Sequence, residues 1–238
     1  MTAPTIEDVV GWDVRTWSKA VEFWERALQA FVETGDDRQL DVLEIGAGPG
    51  GPSAWLAAKG HRVVTSNLDN TELLARPLHE RLGLANRVEY RDLDLLAGLP
   101  YRDSFDVIVF KSVLGGLGGE DPALGERAVE EIRAALKPGG LLLWAENLRG
   151  NVGHRLARGI AYRVRNARTW HYLSLKRLRS LLLGAFVDVE VRVGGVLAVL
   201  GTSERARDRL ARADQAAFDR ILPASWHYMA YGSARRAG

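Results

Sequence analysis

The hydrophobic positions of this chain fall into two alternating patterns. In "TWSKAVEFWERALQAF", Trp17, Val21, Trp24, Leu28 and Phe31 recur every three or four residues, which predicts one face of an amphipathic helix. Short apolar runs follow: "LDVLEI" (40–45), "HRVVTS" (61–66), "RVEYRD" (87–92), "FDVIVF" (105–110) and "LLLWAE" (141–146), each the length of a strand. Helical stretches separate them: "GPSAWLAAKG", running to about Lys59; "NTELLARPLHERLG", stopping at Gly83; and "PALGERAVEEIRAAL", ended by "KPGG". Strands alternating with helices at this pace predict a mostly parallel sheet with helices on both faces. After the fifth strand the pattern loosens, and residues 147–172 read as an insertion. A helix in "SLKRLRSLLLGAF", a strand in "VDVEVRV", a helix through "SERARDRLARADQAAFDRIL" and a last strand in "WHYMAYGSA" complete the order. No repeat, low-complexity tract or linker divides the chain. The expectation is one domain over 1–238, with an N-terminal helical cap in 1–36.

Composition narrows the classes. Hydrophobic residues make up 47% and charged residues 26%, as in ordinary globular domains. No apolar run reaches the roughly 18 residues of a membrane span, and "MTAPTIEDVVGWD" lacks the basic and apolar regions of a signal peptide. A cytoplasmic location is the expectation, with no membrane partner. With no cysteine, disulfides, thiolate metal sites and cysteine nucleophiles are excluded. A net charge of +2 is too small to argue for a nucleic-acid partner.

The chemistry concentrates in "DVLEIGAGPGG" (41–51), an apolar strand running into a glycine-rich turn and then a helix. Gly46, Gly48 and Gly51 satisfy G-x-G-x-x-G, the dinucleotide fingerprint. Gly46, Gly48 and Gly50 equally satisfy E-x-G-x-G-x-G, the pattern of S-adenosylmethionine enzymes. Three features favour the second. Glu44 places a carboxylate two residues before the first glycine, where it would repel a pyrophosphate but suit an ammonium and a sulfonium. "RDLDLLAGLPYRDSFDVIVF" supplies an acid after the third strand, then L-P-Y, then F-D and the fourth strand. "ALKPGGLLLWAEN" supplies the next turn and the fifth strand.

On these motifs, residues from about 40 to 200 resemble the class I S-adenosylmethionine-dependent methyltransferases. Within them, "FKSVLGGLG", "AENL" and "WHYLS" resemble a bacterial group associated with glycan or natural-product gene clusters. The resemblance implies a Rossmann-like, seven-stranded, mostly parallel sheet with an N-terminal helical lid and an insertion after strand five. It also implies S-adenosylmethionine as cofactor and S-adenosylhomocysteine as product. Carried over by position, Gly46, Ala47, Gly48 and Gly50 form the turn under the methionine part, with Glu44 ordering it. Asn67 stands where the family has an acid for the ribose hydroxyls; Asp69, two residues on, is the alternative. Leu68 would lie against the adenine. Asp94 aligns with the acid that meets the adenine amino group, Leu95 lies beside it, and Asp92 competes. Lys111, after strand four, is a candidate for the cofactor carboxylate or an acidic substrate, and Trp17 or Trp24 for the lid. "FKSV" replaces the N-P-P-aromatic motif of enzymes that methylate exocyclic amines.

Methyl transfer from a sulfonium needs alignment, and an oxygen acceptor also needs a base near its proton. His154, with Glu146 as orienting or basic partner, is the first candidate, and His171 the second. Between Asn147 and Val187 the chain has nine arginines and lysines and no acid. That run reads either as a solvated face or as recognition of an anionic acceptor. "TWHY" and the later "WHY", with His227, offer aromatic surface. The expectation is a small-molecule O- or N-methyltransferase without a metal, monomeric or homodimeric. An RNA or protein methyltransferase, a NAD-linked oxidoreductase and a non-catalytic partner protein are the rivals.

Overall fold

The computed structural model describes residues 2–33, 39–117, 121–156 and 171–238. Seven strands form one sheet: β1 (Asp41–Ile45), β2 (Arg62–Asn67), β3 (Val88–Asp92), β4 (Phe105–Lys111), β5 (Leu136–Asn147), β6 (Val187–Gly194) and β7 (Met229–Arg235). Their order is β3-β2-β1-β4-β5-β7-β6. β1 to β5 pair in parallel, and β7 runs antiparallel to both β5 and β6. The chain leaves β1 towards β2 and β3 on one side and returns through β4 to β5 on the other. That reversal opens a crevice at the carboxyl ends of β1 and β4, where open α/β sheets bind their ligands.

The apolar character of β4 follows from its central place: Phe105 to Phe110 are all buried because both faces of the sheet are covered, and the one acid among them, Asp106, pairs with Lys137 at 2.9 Å. Alternate residues feed two cores. Val42, Val107, Val109, Leu141 and Leu143 pack with the helices α1 (Ile6–Val10), α2 (Val14–Glu33) and α3 (Gly51–Ala58). Leu43, Ile45, Ile108, Phe110, Leu142 and Trp144 pack on the opposite face with α6 (Pro122–Ala135) and α7 (Leu175–Ala185). Further helices are α4 (Thr71–Arg81), α5 (Leu114–Leu117) and α8 (Glu204–Ala213).

The periodic face of α2 lies on the sheet. Trp17 and Trp24 are 0% and 1% exposed, and the Trp24 Nε1–H donates to the Trp144 carbonyl at 3.3 Å. Truncating such a buried tryptophan costs about 3–5 kcal/mol. Trp24 is therefore a core residue and not a lid. α1 packs against α2 and α3; the hydrophobic pattern did not predict it because five residues carry no period.

Two boundaries differ from the sequence reading. "KPGG" is not a helix stop: β5 begins at Leu136 and absorbs it through a register shift between Phe105 and Val107. The helix expected over 203–222 is broken by a π-turn at Asp214–Phe218. This turn lets two acids five residues apart face the same loop. Asp214 accepts from the backbone N–H groups of Val196, Leu197 and Ala198, and Asp219 accepts from Gly195 N–H.

Of the expected insertion, residues 152–156 are helical, and Leu148 bridges Leu173. Residues 157–170, with Arg158, Arg163, Arg165 and Arg168, lie outside the described residues.

Candidate cofactor and acceptor site

The turn between β1 and α3 is built from left-handed backbone. Gly46, Gly48 and Gly50 have φ of +65°, +53° and +80°, a region closed to most side chains. Their surroundings separate their duties. A Cβ on Gly46 would lie 2.5 Å from Val113 Cγ2, and one on Gly50 would lie 2.7 Å from His79 Nε2. A Cβ on Gly48 meets no atom within 4 Å. Gly46 and Gly50 are thus demanded by the protein's own packing, whereas Gly48 borders open space in the crevice. Gly51, the third glycine of the dinucleotide pattern, owes its identity to neither: a Cβ there would collide with the carbonyl oxygens of Asp8 and Val9 in α1.

Beneath the turn lies a buried polar network. Glu44 accepts from Ser53 N–H at 2.8 Å, so it caps the amino end of α3. Burial pushes its carboxyl up to about 7, against the opposing pull of the Ser53 bonds and of Lys111. His79 on α4 reaches the Gly50 carbonyl from Nε2 at 2.9 Å and Tyr90 Oη from Nδ1 at 2.9 Å. Nε2 therefore carries the proton towards the carbonyl, and Nδ1 accepts from the tyrosine. Burial lowers the pKa of His79, which keeps it neutral in this role. The sequence reading missed His79, because a histidine in "LHER" carries no local signal.

Asn67 ends β2, and its amide is already in use. Oδ1 accepts from Gly48 N–H at 2.7 Å, and Nδ2 faces the Gly48 carbonyl at 3.4 Å. A carboxylate cannot donate the second bond, which explains why an amide replaces the usual acid. One lone pair on Oδ1 and one N–H remain for another partner. Leu68 is 68% exposed, unusual for a leucine, and offers an apolar face at the crevice. Asp69 follows it, exposed, in a bend. Of the two acids after β3, Asp92 is committed, since it accepts from Thr71 N–H at 2.9 Å and caps α4. Asp94 is exposed and engages only its own turn, through Leu96 N–H at 2.8 Å. Leu95 departs from expectation: it is 4% exposed and packs into the core with Ile45 and Phe110, so its side chain offers the crevice no face.

Lys111 does not reach out to solvent. Its Nζ donates to the Val10 carbonyl at 2.6 Å and lies 4.9 Å from the centroid of the Trp17 ring. Burial pushes it down to about 8, with Glu44 opposing the shift. Trp17 is fully buried under this ammonium. It takes part in the cap through Lys111 and offers no exposed ring face.

At the ends of β4 and β5, Ser112 has φ of +59°, a strained conformation for a residue with a side chain. Asn147 Nδ2 donates to Ser112 Oγ at 2.8 Å. Glu146 is fully buried. Its Oε1 accepts from Val113 N–H and Leu114 N–H, both at 2.6 Å, while Oε2 has no partner among the described residues. Desolvation pushes Glu146 up to about 7 against those bonds.

The histidine candidates fare differently. His154 is 2% exposed; Nε2 bonds the Val196 carbonyl at 2.5 Å, and Nδ1 accepts from Asn151 N–H at 3.2 Å. Its ring stands edge-on to Tyr228 at 5.7 Å. Both nitrogens are engaged, and His154 ties its own turn to the 194–198 loop. His171 is exposed and borders the residues outside the description. His227 is buried, with Asp219 Oδ1 3.6 Å from Nε2. Of the basic run, Lys176 and Arg179 are exposed on α7, and Arg177 pairs with Glu126 at 3.0 Å, which is the pattern of a solvated face. Among the described residues no cluster of three or more histidines and acids has metal-site geometry, and no helix is long and apolar enough to cross a membrane.

Comparison with known proteins agrees with this fold. Residues 43–144 match the methyltransferase domain family. The chain is 37% identical over 108 residues to the methyltransferase GfsG of Streptomyces halstedii, an alignment covering 44% of this chain and 37% of that protein. The chain thus spans little more than a third of that curated relative. The fold is similar to a phosphoethanolamine N-methyltransferase 2 of Haemonchus contortus in complex with S-adenosylmethionine, with TM-score 0.59 and 19% identity over 90% of this chain and 53% of that one. It is also similar to a putative sarcosine dimethylglycine methyltransferase of Galdieria sulphuraria, with TM-score 0.62 and 17% identity over 91% and 84%. The residues present suit the cofactor that this fold serves: Gly48 borders open space, and the exposed acids Asp69 and Asp94 follow β2 and β3. By its strand order and its glycine turn the chain has the fold of the class I S-adenosylmethionine-dependent methyltransferases, and residues 43–144 match their methyltransferase domain.

Proposed function

We propose that the chain transfers a methyl group from S-adenosylmethionine to an oxygen or nitrogen of a small molecule. The observation that carries this reading is the three left-handed glycines, of which Gly48 alone borders open space in the crevice. The cofactor, when bound, supplies a methyl group activated on a sulfonium and open to in-line displacement. The protein's part is to bind, align and desolvate.

Gly46, Ala47, Gly48 and Gly50 hold the methionine end, and Glu44 fixes the turn from behind. Asn67 bonds the ribose through its remaining valences, with Asp69 as the alternative group. Leu68 covers the adenine and Asp94 takes its amino group. On the acceptor side, Ser112 and Asn147 present polar atoms at the ends of β4 and β5. Glu146 is the base for an oxygen acceptor, because its free Oε2 and its pKa near 7 suit proton transfer at neutral pH. An amine acceptor needs only to arrive uncharged. His171 remains the second candidate base, beside the residues outside the description. An anionic acceptor would draw on Arg155, which is exposed, and on the arginines of 157–170.

The test has two arms. Titration with S-adenosylmethionine and with NAD separates this reading from an oxidoreductase. Release of S-adenosylhomocysteine with small acceptors, RNA or protein separates it from a macromolecular methyltransferase. Tight cofactor binding with no turnover on any class would favour a non-catalytic partner.

A further inference from the structure

α1 is five residues long and buries only Val9 and Val10. A helix this short does not stand alone in water, yet it is docked from several sides. Thr5 and Asp8 form a reciprocal capping box at its start. Asp8 pairs with Arg81 at the end of α4, and Thr2 N–H donates to the Leu82 carbonyl at 3.2 Å. At its carboxyl end, the carbonyls of Asp8 and Val9 lie where a Cβ of Gly51 would be. The next carbonyl, that of Val10, receives the Lys111 ammonium at 2.6 Å. Lys111 itself rises from the end of β4, over the Trp17 ring and within electrostatic reach of Glu44 behind the glycine turn.

These contacts make one chain of cause from the turn to the cap. We propose that Lys111 is a positioning residue that latches α1 over the glycine turn, and that Gly51 is glycine so that the latched helix can sit there. The inference rests on the reading that the turn holds S-adenosylmethionine. It assigns Lys111 to the protein's own carbonyl in place of the cofactor carboxylate. Cofactor entry and release then require α1 to lift, and the lifetime of the bound cofactor is set by the latch.

The experiment uses the full chain with three probes: hydrogen exchange of residues 2–12 in the free protein, the release rate of S-adenosylhomocysteine, and the affinity of 5′-methylthioadenosine, which lacks the amino-acid end. Lys111→Met keeps the length and removes the donor. Gly51→Ala pushes α1 away without touching Lys111, at a position where φ is not in the left-handed region. Lys111→Met should speed exchange in 2–12 by about tenfold, as the loss of one charge-assisted hydrogen bond implies; Gly51→Ala, which displaces the same helix by steric contact, should also speed it, and both should speed release. Lys111→Arg, which keeps a donor, should recover part of the effect. The double variant should add little, since the two changes open one element. Unchanged exchange in Lys111→Met would overturn the proposal. So would a loss of S-adenosylhomocysteine affinity with 5′-methylthioadenosine binding and exchange both unaffected, because that pattern marks a direct carboxylate contact. A wild-type protein that binds none of the nucleosides would overturn the cofactor reading instead, and the exchange data on the free protein distinguish that case.

Discussion

Glu146→Gln puts a sign and a size on the buried carboxyl at the crevice. Folding raises this group from an ordinary carboxyl value of 4.5 to about 7. A carboxyl whose pKa is raised on folding favours the native state only while protonated. Its contribution is fully present below 4.5 and is lost as pH rises through 7. One pKa unit corresponds to about 1.4 kcal/mol, so moving from pH 5 to pH 8 should cost the wild type on the order of 2–3 kcal/mol at this one site. Glutamine retains an oxygen for the N–H groups of Val113 and Leu114 and cannot ionise. The stability difference between variant and wild type should therefore drift in the variant's favour by that amount across the interval. In a chain of this size each kcal/mol moves the midpoint by about 2–4 °C. Urea or thermal unfolding of both proteins at pH 5, 6, 7 and 8 measures it. Glu44, shifted in the same direction, is present in both proteins and cancels in the difference. A difference that stays flat across the four pH values would refute the reasoning. With an oxygen acceptor in hand, the same variant should also lose turnover while keeping its cofactor affinity.

Asn67→Ala removes both bonds to the Gly48 peptide and should weaken S-adenosylmethionine binding by about 1–2 kcal/mol in a calorimetric titration; a larger loss in Asp69→Ala would move the ribose contact to that acid. His154→Ala should lower the unfolding midpoint, since two hydrogen bonds and a ring contact go, but should leave turnover per folded molecule near the wild-type value. A selective loss of turnover would restore His154 as a base.

Much of the sheet was legible because its signal is local. β4 and the core of β5 announce themselves as largely apolar runs, and Gly46, Gly48 and Gly50 do so because all three take left-handed backbone, with Gly46 pressed against Val113 and Gly50 against His79. What the sequence could not show depended on partners distant along it. His154 bonds the Val196 carbonyl and Lys111 the Val10 carbonyl; neither contact can be written along the chain. Leu95 aligns with a cofactor position, yet the turn after β3 rotates it into the core. α1 was missed for its length, and with it the reason for Gly51. The departure at Asn67 was visible as a mismatch, but its cause, an amide that both accepts from and faces Gly48, needed the fold.

The central claim is that a cationic nucleoside cofactor lies against Gly48. Calorimetric titration of the wild type and of Gly48→Val with S-adenosylmethionine tests it most directly. The side chain would project into the space where no protein atom lies within 4 Å, and it would also strain a backbone at φ +53°, so circular dichroism and the unfolding midpoint must be recorded beside the titration. The account predicts micromolar binding to the wild type and none detectable to a variant that remains folded. Equal affinity in both proteins would contradict it.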